Sequence, residues 1–290
     1  MKPPLFEYSA PRTIEEAVAI LGANPGAMVL AGGQSLVPAM NFRLATPDRL
    51  VDIQHISGLS GISVEKGEIV VKAMTRHREL ELSDKAFAAN PIIREAMAHV
   101  AHIPIRNRGT VVGSLCHADA AAEMPLVLLL TGGNVVAEGN EGRRTIPAGA
   151  FFKFHMTTER RHDEIVVEAR FPALPKGAGA AFDEFTRRHG DYAIAAVGAI
   201  VSLDGNGTAT EVRLAACGVS SRPIRLNVAE TALNGTKLSA TDLAAAGEAA
   251  KATVTAADDM HATTAYRRRV LATLVRRTVA TAAGRAERMS

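Results

Sequence analysis

One segment divides this chain of 290 residues: between Phe171 and Gly177, two prolines and a glycine end the hydrophobic periodicity on both sides. Ahead of this segment, strand-like and helix-like runs are interleaved, whereas behind it three strand-like runs are followed by helices. A chain of this length is expected to form about two domains. Because 47% of the residues are hydrophobic and 22% are charged, the composition is that of an ordinary globular protein. We therefore predict a folded protein of mixed strands and helices, divided at this segment.

The first 57 residues are predicted to form a small βαβ unit. Thr13 and Glu16 match a helix capping box, and apolar residues follow at helical spacing. The apolar runs Met28–Ala31 and Leu50–Ile53 are typical of short buried strands.

The remaining elements are predicted from the same patterns. Further strands are expected at 62–64, 68–74, 134–137, 144–146, 164–169, 180–186, 193–203 and 210–218. Further helices are expected at 77–83, 91–101, 120–130, 227–233, 240–252 and 262–283. Hairpin turns are expected at Lys66-Gly67 and at Asp204–Gly207.

Cysteine content and charge exclude several classes of protein. Two cysteines, Cys116 and Cys217, are too few for a disulfide scaffold or for a four-cysteine zinc or iron–sulfur site. No apolar run approaches the ~18 residues of a membrane span, and the N-terminus lacks the apolar region of a signal peptide, so we predict a cytoplasmic protein. A net charge of +3 and 4% aromatic residues without tryptophan argue against a nucleic-acid partner.

Two glycine-containing segments are the candidates for ligand binding. The first, Ala31-Gly32-Gly33-Gln34-Ser35-Leu36, directly follows a predicted strand. Consecutive glycines let the backbone turn and approach a ligand closely, and successive N–H groups then form an anion-binding nest. Taken alone, the segment favours an ordinary tight turn between a strand and a helix over an anion-binding site.

The second segment runs from Arg106 to Asp119 and places Thr110 and Ser114 beside glycines. Small hydroxyl residues next to glycine suit a diphosphate, and a carboxylate such as Asp119 or Glu123 suits ribose hydroxyls. The alternative for Asp119 is an N-cap of the helix that follows. Neither segment matches a dinucleotide fingerprint of the Rossmann type or a P-loop.

In combination, the two segments resemble the two flavin loops of the medium, FAD-binding subunit of the molybdenum hydroxylases, the family of carbon monoxide dehydrogenase and xanthine dehydrogenase. The resemblance continues in Arg187–Ile194 and in the C-terminal Tyr266-Arg267-Arg268, so it covers nearly the whole chain. It implies an α+β fold. An FAD-binding fold of the PCMH or vanillyl-alcohol-oxidase type would form two subdomains (1–57 and 58–175), followed by a C-terminal α/β domain (178–290) with a three-stranded sheet and helices.

The resemblance also implies where FAD is bound. The two loops would hold the diphosphate, with Asp119 and Glu123 near the ribose and the diphosphate end. Ile165 would pack near the adenine or the flavin, and Tyr192 would approach the isoalloxazine ring. The implied FAD-binding residues are Ala31, Gly32, Gly33, Gln34, Ser35, Leu36, Thr110, Val111, Gly113, Ser114, His117, Asp119, Glu123, Ile165 and Tyr192.

At three places the sequence departs from the family. Val112 stands where a second glycine is frequent, and its Cβ opposes close backbone approach. Gln34 replaces a histidine with another hydrogen-bond donor. Asp183 or Glu184 stands where some members carry a lysine, so we predict no lysine contact with the flavin.

The implied function is electron transfer within a heteromeric molybdenum hydroxylase. A large partner subunit would hydroxylate the substrate at its molybdenum cofactor, and [2Fe-2S] clusters of a small partner subunit would pass electrons to FAD in this chain. FAD would then reduce an external acceptor. Because the redox chemistry belongs to the cofactor, we predict no catalytic acid or base and no metal ligand in this chain.

Two other functions stay open at this stage. A stand-alone flavin oxidase or dehydrogenase of the same superfold would need a base over the flavin and often a covalent tether, for which His117 or Cys116 is a candidate. A non-enzymatic nucleotide-binding or assembly protein is supported by the basic C-terminal helix. Its arginines, among them Arg267, form either a solvated face or contacts to a partner.

Overall fold

The structure is a computed structural model and describes residues 2–288. The chain begins with a small parallel sheet of order β1-β3-β2. Its strands and connecting helices are β1 (Glu7–Ser9), α1 (Ile14–Ala23), β2 (Ala27–Leu30), α2 (Leu36–Asn41) and β3 (Arg49–Asp52). The predicted capping of α1 is confirmed, because Thr13 Oγ1 accepts a hydrogen bond from the Glu16 N–H at 3.2 Å. The sequence patterns missed β1 and α2.

A second, antiparallel sheet has the order β4-β5-β10-β6-β7. Its strands are β4 (Ile62–Glu65), β5 (Glu68–Lys72), β6 (Asn134–Gly139), β7 (Gly142–Pro147) and β10 (Ile165–Pro172), and a separate short hairpin joins β8 (Phe152–Phe154) to β9 (Thr157–Thr158). Helices connect these strands: α3 (His77–Glu81), α4 (Asp84–Ala89), α5 (Ile92–His99), α6 (Ile103–Arg106), α7 (Val111–His117), α8 (Glu123–Thr131) and α9 (Ala148–Phe151).

The predicted helix at 120–130 begins later than expected. Its N-cap position is Ala122, so the interpretation of Asp119 as the cap is wrong. Ala118 adopts a left-handed conformation with φ of 51°, and the Asp119 carboxylate accepts a hydrogen bond from the Ala121 N–H at 2.9 Å. Such a turn, in which an aspartate bonds the backbone two residues on, competes with helix formation.

The C-terminal part forms a third sheet, β11-β12-β13-β14, flanked by helices on both faces. The three predicted strands are found, and a two-residue strand adds a fourth at the edge. The elements are β11 (Gly179–Phe185), β12 (Ala195–Leu203), β13 (Ala209–Cys217), β14 (Ile224–Arg225), α10 (Asn227–Leu233), α11 (Ala240–Ala250), a 3₁₀ turn (Lys251–Thr253) and α12 (Thr264–Glu287). Helices α10–α12 cover one face of the sheet, and α5 and α8 contact the other. The three sheets are built from residues 7–52, 62–172 and 179–225, respectively; the domain boundaries stay a prediction.

The arginines of the basic helix were predicted to form either a solvated face or contacts to a partner, and Arg267 does not belong to a solvated face. This residue of α12 is only 5% exposed. Its guanidinium donates to the Ile194 carbonyl at 2.6 Å and to the Gly218 carbonyl at 2.8 Å, and it pairs with Asp259 at 2.5 Å. Arg267 therefore joins the helix to the ends of two strands, whereas its neighbours Arg268 and Arg269 are exposed.

Within residues 2–288, no helix combines the length and the apolar character needed to cross a membrane.

Candidate functional site

The first glycine loop presents a row of backbone donors. In the described part of the chain, the N–H groups of the four consecutive residues Gly32–Ser35 have no hydrogen-bond partner. Gly33 has a φ of 71°, a conformation that glycine adopts without strain, and it turns the backbone from β2 into α2. Unpaired amide groups in succession are the donor set of an anion-binding nest.

The two glycine loops touch each other at Gly32. A Cβ atom at this position would lie 2.5 Å from the Arg108 carbonyl oxygen, 2.7 Å from the Gly109 Cα and 2.9 Å from the Thr110 nitrogen. All three neighbours are backbone atoms, so only a residue without a side chain allows this approach. The first loop therefore lies directly against the second.

Hydrogen bonds to the start of α3 and to the residues just before it hold the second loop in place. The His77 N–H donates to the Gly109 carbonyl at 3.0 Å, and the Val111 N–H donates to the Thr75 carbonyl at 3.1 Å. Thr110 caps α7 by accepting a hydrogen bond from the Gly113 N–H at 3.1 Å. Among the described residues, the N–H groups of Thr110 and Val112 have no partner, so this loop adds two further donors.

Both loops open into one cavity of about 640 Å³, within the range of about 300–1,000 Å³ that is typical of cofactor and ligand sites. The structure brings together thirteen of the fifteen predicted site residues around it. They are Ala31, Gly32, Gly33, Gln34, Ser35, Leu36, Thr110, Gly113, Ser114, His117, Glu123, Ile165 and Tyr192. The cavity is lined by residues of the first two sheets and by Gly190–Tyr192, which lie in the loop between β11 and β12 of the C-terminal part.

Two predicted residues do not line the cavity. The Val111 side chain is completely buried in the hydrophobic core, because the first turn of α7 rotates it away from the loop. Asp119 lies in the turn before α8 and accepts a hydrogen bond from the Ala121 N–H. Val112, whose Cβ was expected to oppose close approach, is itself part of the cavity wall.

His77 was missed by the sequence analysis and forms part of the wall beneath the second loop. It is buried, and within the described residues its Nδ1 atom has no hydrogen-bond partner. Burial, assisted by the positive charge of Arg106, lowers the pKa of His77 from 6.5 to about 4. The imidazole is therefore neutral at neutral pH.

Cys116 and His117 are adjacent in α7, and both line the cavity. Burial raises the pKa of the Cys116 thiol to about 11, so the sulfur is a neutral thiol at physiological pH and a poor nucleophile. Burial also lowers the pKa of His117.

The hairpin β8–β9 and the loop after it supply another wall that no sequence motif indicated. Met156, Thr158 and Arg160 line the cavity. The Arg160 guanidinium donates to the carbonyls of Arg161, His162 and Glu164 at 2.7, 3.2 and 2.8 Å. A charged group held by backbone carbonyls gives no periodicity or spacing that sequence reasoning could detect.

Two family descriptions match the chain. Residues 4–174 match the FAD binding domain in molybdopterin dehydrogenase, and residues 180–282 match the C-terminal domain of the carbon monoxide dehydrogenase flavoprotein.

Relatives match over almost the full length. The chain is 44% identical over 287 residues to the alpha subunit of the 6-hydroxypseudooxynicotine dehydrogenase complex of Paenarthrobacter nicotinovorans, covering 99% of this chain and 97% of that protein. It is 36% identical over 285 residues to the medium subunit of nicotine 6-hydroxylase from the same organism, covering 98% of this chain and all of that subunit.

A solved structure of carbon monoxide dehydrogenase from Hydrogenophaga pseudoflava superposes with a TM-score of 0.95 and 36% identity, covering 98% of this chain and 99% of that chain. Since one family description spans more than half of the chain and the relatives span nearly all of it, the family is established. The chain belongs to the medium, FAD-binding subunits of the molybdenum hydroxylases and is a flavoprotein that transfers electrons within a heteromeric oxidoreductase.

Proposed function

We propose that the cavity holds FAD with its diphosphate between the two glycine loops. The observation that carries this proposal is the pair of loops meeting at Gly32, with the unpaired N–H groups of Gly32–Ser35, Thr110 and Val112 available beside it. Charge-assisted hydrogen bonds to such donors contribute roughly 1.5–3 kcal/mol each. The unpaired donors fit the charge of a diphosphate, and the cavity of about 640 Å³ beside them provides the space.

The rest of the cofactor would lie along the walls on either side of these loops. Glu123 is placed to accept hydrogen bonds from ribose hydroxyls, and Ile165 packs against the adenine or the flavin. Tyr192 comes from the C-terminal part and approaches the isoalloxazine ring. When bound, FAD supplies the uptake and release of electrons; the side chains named here bind it, orient it and exclude water.

We further propose that a large molybdenum subunit and a small iron–sulfur subunit assemble with this chain. The similarity to subunits of the 6-hydroxypseudooxynicotine dehydrogenase complex and of nicotine 6-hydroxylase supports a multi-subunit assembly. In this arrangement the small subunit delivers electrons to the cavity, and an external acceptor removes them. A cytoplasmic location stays a prediction.

The test is the cofactor content of the complex purified through a tag on this chain from its own host. We expect about one FAD per chain, with iron and molybdenum carried by a smaller and a larger co-purifying chain. FAD on a lone chain without metals would instead support the stand-alone oxidase. A chain without flavin would contradict FAD binding and leave the Gly32–Ser35 loop as an ordinary turn.

A further inference from the structure

Two buried carboxyl groups lie near the place where α8 packs on β12 and β13: Glu123 at the start of α8 and Glu184 on the neighbouring strand β11. Glu123, the first residue of α8, is 5% exposed and lines the cavity. The Glu184 side chain, near the end of β11, is 1% exposed. The charge of Glu123 acts on Glu184 and raises the pKa of its carboxyl group, in addition to the larger effect of burial. The two groups therefore interact across the boundary between the two parts of the chain.

The strand register explains how Glu184 reaches this position. Glu184 is opposite Ala196 of β12, and Ala196 is opposite Cys217 of β13. Directly opposite residues point to the same face of a sheet, so Glu184 and Cys217 share one face. Cys217 Sγ contacts the Ala121 carbonyl at 3.4 Å, two residues before Glu123. The face that carries Glu184 is thus the one packed against the start of α8.

No cation or donor compensates Glu184 among the described residues. Both of its carboxylate oxygens are buried without a hydrogen-bond partner. The nearest candidate, His99 Nδ1 of α5, lies 3.9 Å from Oε1, which is beyond hydrogen-bond distance. Burial lowers the pKa of His99, which disfavours the charged imidazolium that an ion pair at this distance needs.

The charged and titratable groups that surround Glu184 do not help to ionise it. Asp183, its neighbour on β11, pairs with Arg277 of α12 at 3.1 Å, and its charge also raises the pKa of Glu184. Burial, with the charge of Glu184 as a further cause, raises the pKa of Cys217 on β13, so this thiol is neutral. Glu123 on α8 and Asp119 before it contribute only negative charge.

We propose that Glu123 and Glu184 share one proton at the wall of the cavity, and that this shared proton is held more tightly when negative charge enters the cavity. Two buried carboxylates, of which Glu184 has no hydrogen-bond partner among the described residues, cannot both ionise without a large desolvation and repulsion cost. The proton exchanges with water, so an O–H bond at one carboxyl group forms or breaks while a water molecule releases or accepts the proton. The second part rests on the proposed function, since the diphosphate of FAD is the charge that enters.

The first experiment uses the purified complex with Glu184→Gln, in which an amide of the same shape cannot ionise. FAD release is followed by flavin fluorescence between about pH 6 and about pH 9. In the unmodified complex, loss of the shared proton leaves two carboxylates near the diphosphate, so we expect retention to weaken about tenfold as the pH rises. In Glu184→Gln the change is expected to be less than about twofold. Asp183→Asn is the matched control: it keeps the size of the pH-dependent change but displaces it to lower pH, because the charge of Asp183 raises the pKa of Glu184.

The second experiment has a readout that needs neither FAD nor activity. Infrared difference spectra of the full chain are recorded for the C=O stretch of a buried protonated carboxylic acid, which shifts in D₂O. We expect this band in the unmodified chain and in Asp183→Asn, and its loss in Glu184→Gln. If Glu184→Gln does not fold, Glu123→Gln is recorded instead. Burial alone still raises the pKa of Glu184, so the band is expected to persist but to disappear at a lower pH than in the unmodified chain, because the charge of Glu123 is gone. Loss of the band at the same pH in both chains contradicts the sharing.

The two proposals fail in different ways. Absence of FAD from the complex at every pH contradicts the proposed function, and the infrared band still decides whether the proton is shared. The same pH profile in Glu184→Gln and in the unmodified complex, or no protonated carboxyl band in the unmodified chain, overturns the shared proton.

Discussion

The two parts of the chain contribute to the cavity in different ways. The N-terminal part supplies two glycine loops, whose backbone donors face the cavity and whose positions are fixed by their contact at Gly32. Within residues 2–288, the C-terminal part reaches the cavity only through Gly190–Tyr192. From this difference we infer that most of the binding energy for FAD comes from contacts with the N-terminal part. The C-terminal part covers one side of the cavity and determines which side chain contacts the flavin.

The closing segment is anchored from outside the cavity. Gly190, with φ of 87°, packs so closely on α5–α6 that a Cβ there would lie 2.6 Å from His102 Cε1. Behind Tyr192, the Ile194 carbonyl accepts a hydrogen bond from Arg267. The C-terminal contribution therefore depends in part on Arg267, which is buried and does not line the cavity, so the two contributions can be separated by substitution.

The largest expected effect on stability comes from Arg267→Met. The substitution leaves two carbonyl groups without their donor and removes the pairing with Asp259, which is expected to cost about 3 kcal/mol of unfolding free energy. FAD bound per folded chain is expected to stay unchanged. Denaturant unfolding and flavin quantification measure the two quantities, and exposed Arg268→Met is the control. Loss of FAD from the folded variant would contradict the assignment of binding energy to the N-terminal part.

Gly32→Ala is expected to lower the retention of FAD, which Arg267→Met leaves unchanged. The added Cβ meets backbone atoms of the second loop, so the loops must separate, at a cost of about 2 kcal/mol of stability. Because the donor set loses its arrangement, we expect FAD retention to fall more than about tenfold. Gly149→Ala, where a Cβ meets no atom within 4 Å, is the matched control in flavin fluorescence and thermal unfolding. Normal FAD content in Gly32→Ala would show that the contact between the loops is dispensable.

His77 makes the N-terminal part sensitive to acid. Its pKa is about 4 in the folded chain, against an ordinary value of 6.5, so the unfolded chain binds the proton more tightly between these values. Stability is therefore lost as the pH falls through this window, by about 2 kcal/mol at pH 5. In His77→Asn this part of the loss is expected to disappear. The measurement compares unfolding free energies at about pH 7 and pH 5, with exposed His55→Asn as the control; an unchanged acid loss in His77→Asn argues against a buried neutral imidazole.

Tyr192→Ala is expected to affect stability least. Tyr192 is 56% exposed, so the unfolding free energy should change by less than about 0.5 kcal/mol. The flavin absorbance spectrum and reduction potential should shift, because the side chain proposed to approach the isoalloxazine ring is removed. Tyr8→Ala, at another exposed tyrosine, tests whether the shift is specific. Unchanged flavin properties in Tyr192→Ala would remove Tyr192 from the site.

The sequence patterns predicted the alternating and strongly apolar elements, including the hairpin β12–β13 and the capped helix α1. They missed the short helix α2 and the two-residue strand β14, which tertiary contacts stabilise and which are too short to show periodicity. Arg267 was predicted, with the other arginines of its helix, to lie on a solvated face or to contact a partner. Its burial depends on two strand-end carbonyls that need a donor, which no local pattern reveals.

The candidate site was predictable where backbone chemistry requires particular residue types. Glycines, Thr110 and Ser114 mark both loops in the sequence. By contrast, His77 and Arg160 lie on elements without a motif and reach the cavity through long-range packing. Val111 belongs to the second loop's motif but does not line the cavity. It is already the first residue of α7, and its side chain points into the hydrophobic core.

The contact at Gly32 has a consequence for how such chains diverge. Most steric conflicts in a protein can be relieved by a compensating change in the neighbouring side chain, but the neighbours of Gly32 are main-chain atoms that every residue possesses. No second substitution at Arg108, Gly109 or Thr110 restores the space. We expect the side chains around the cavity to vary between related chains, whereas the backbone contact at Gly32 stays unchanged. Complexes that act on unrelated substrates would then share one arrangement of the two loops.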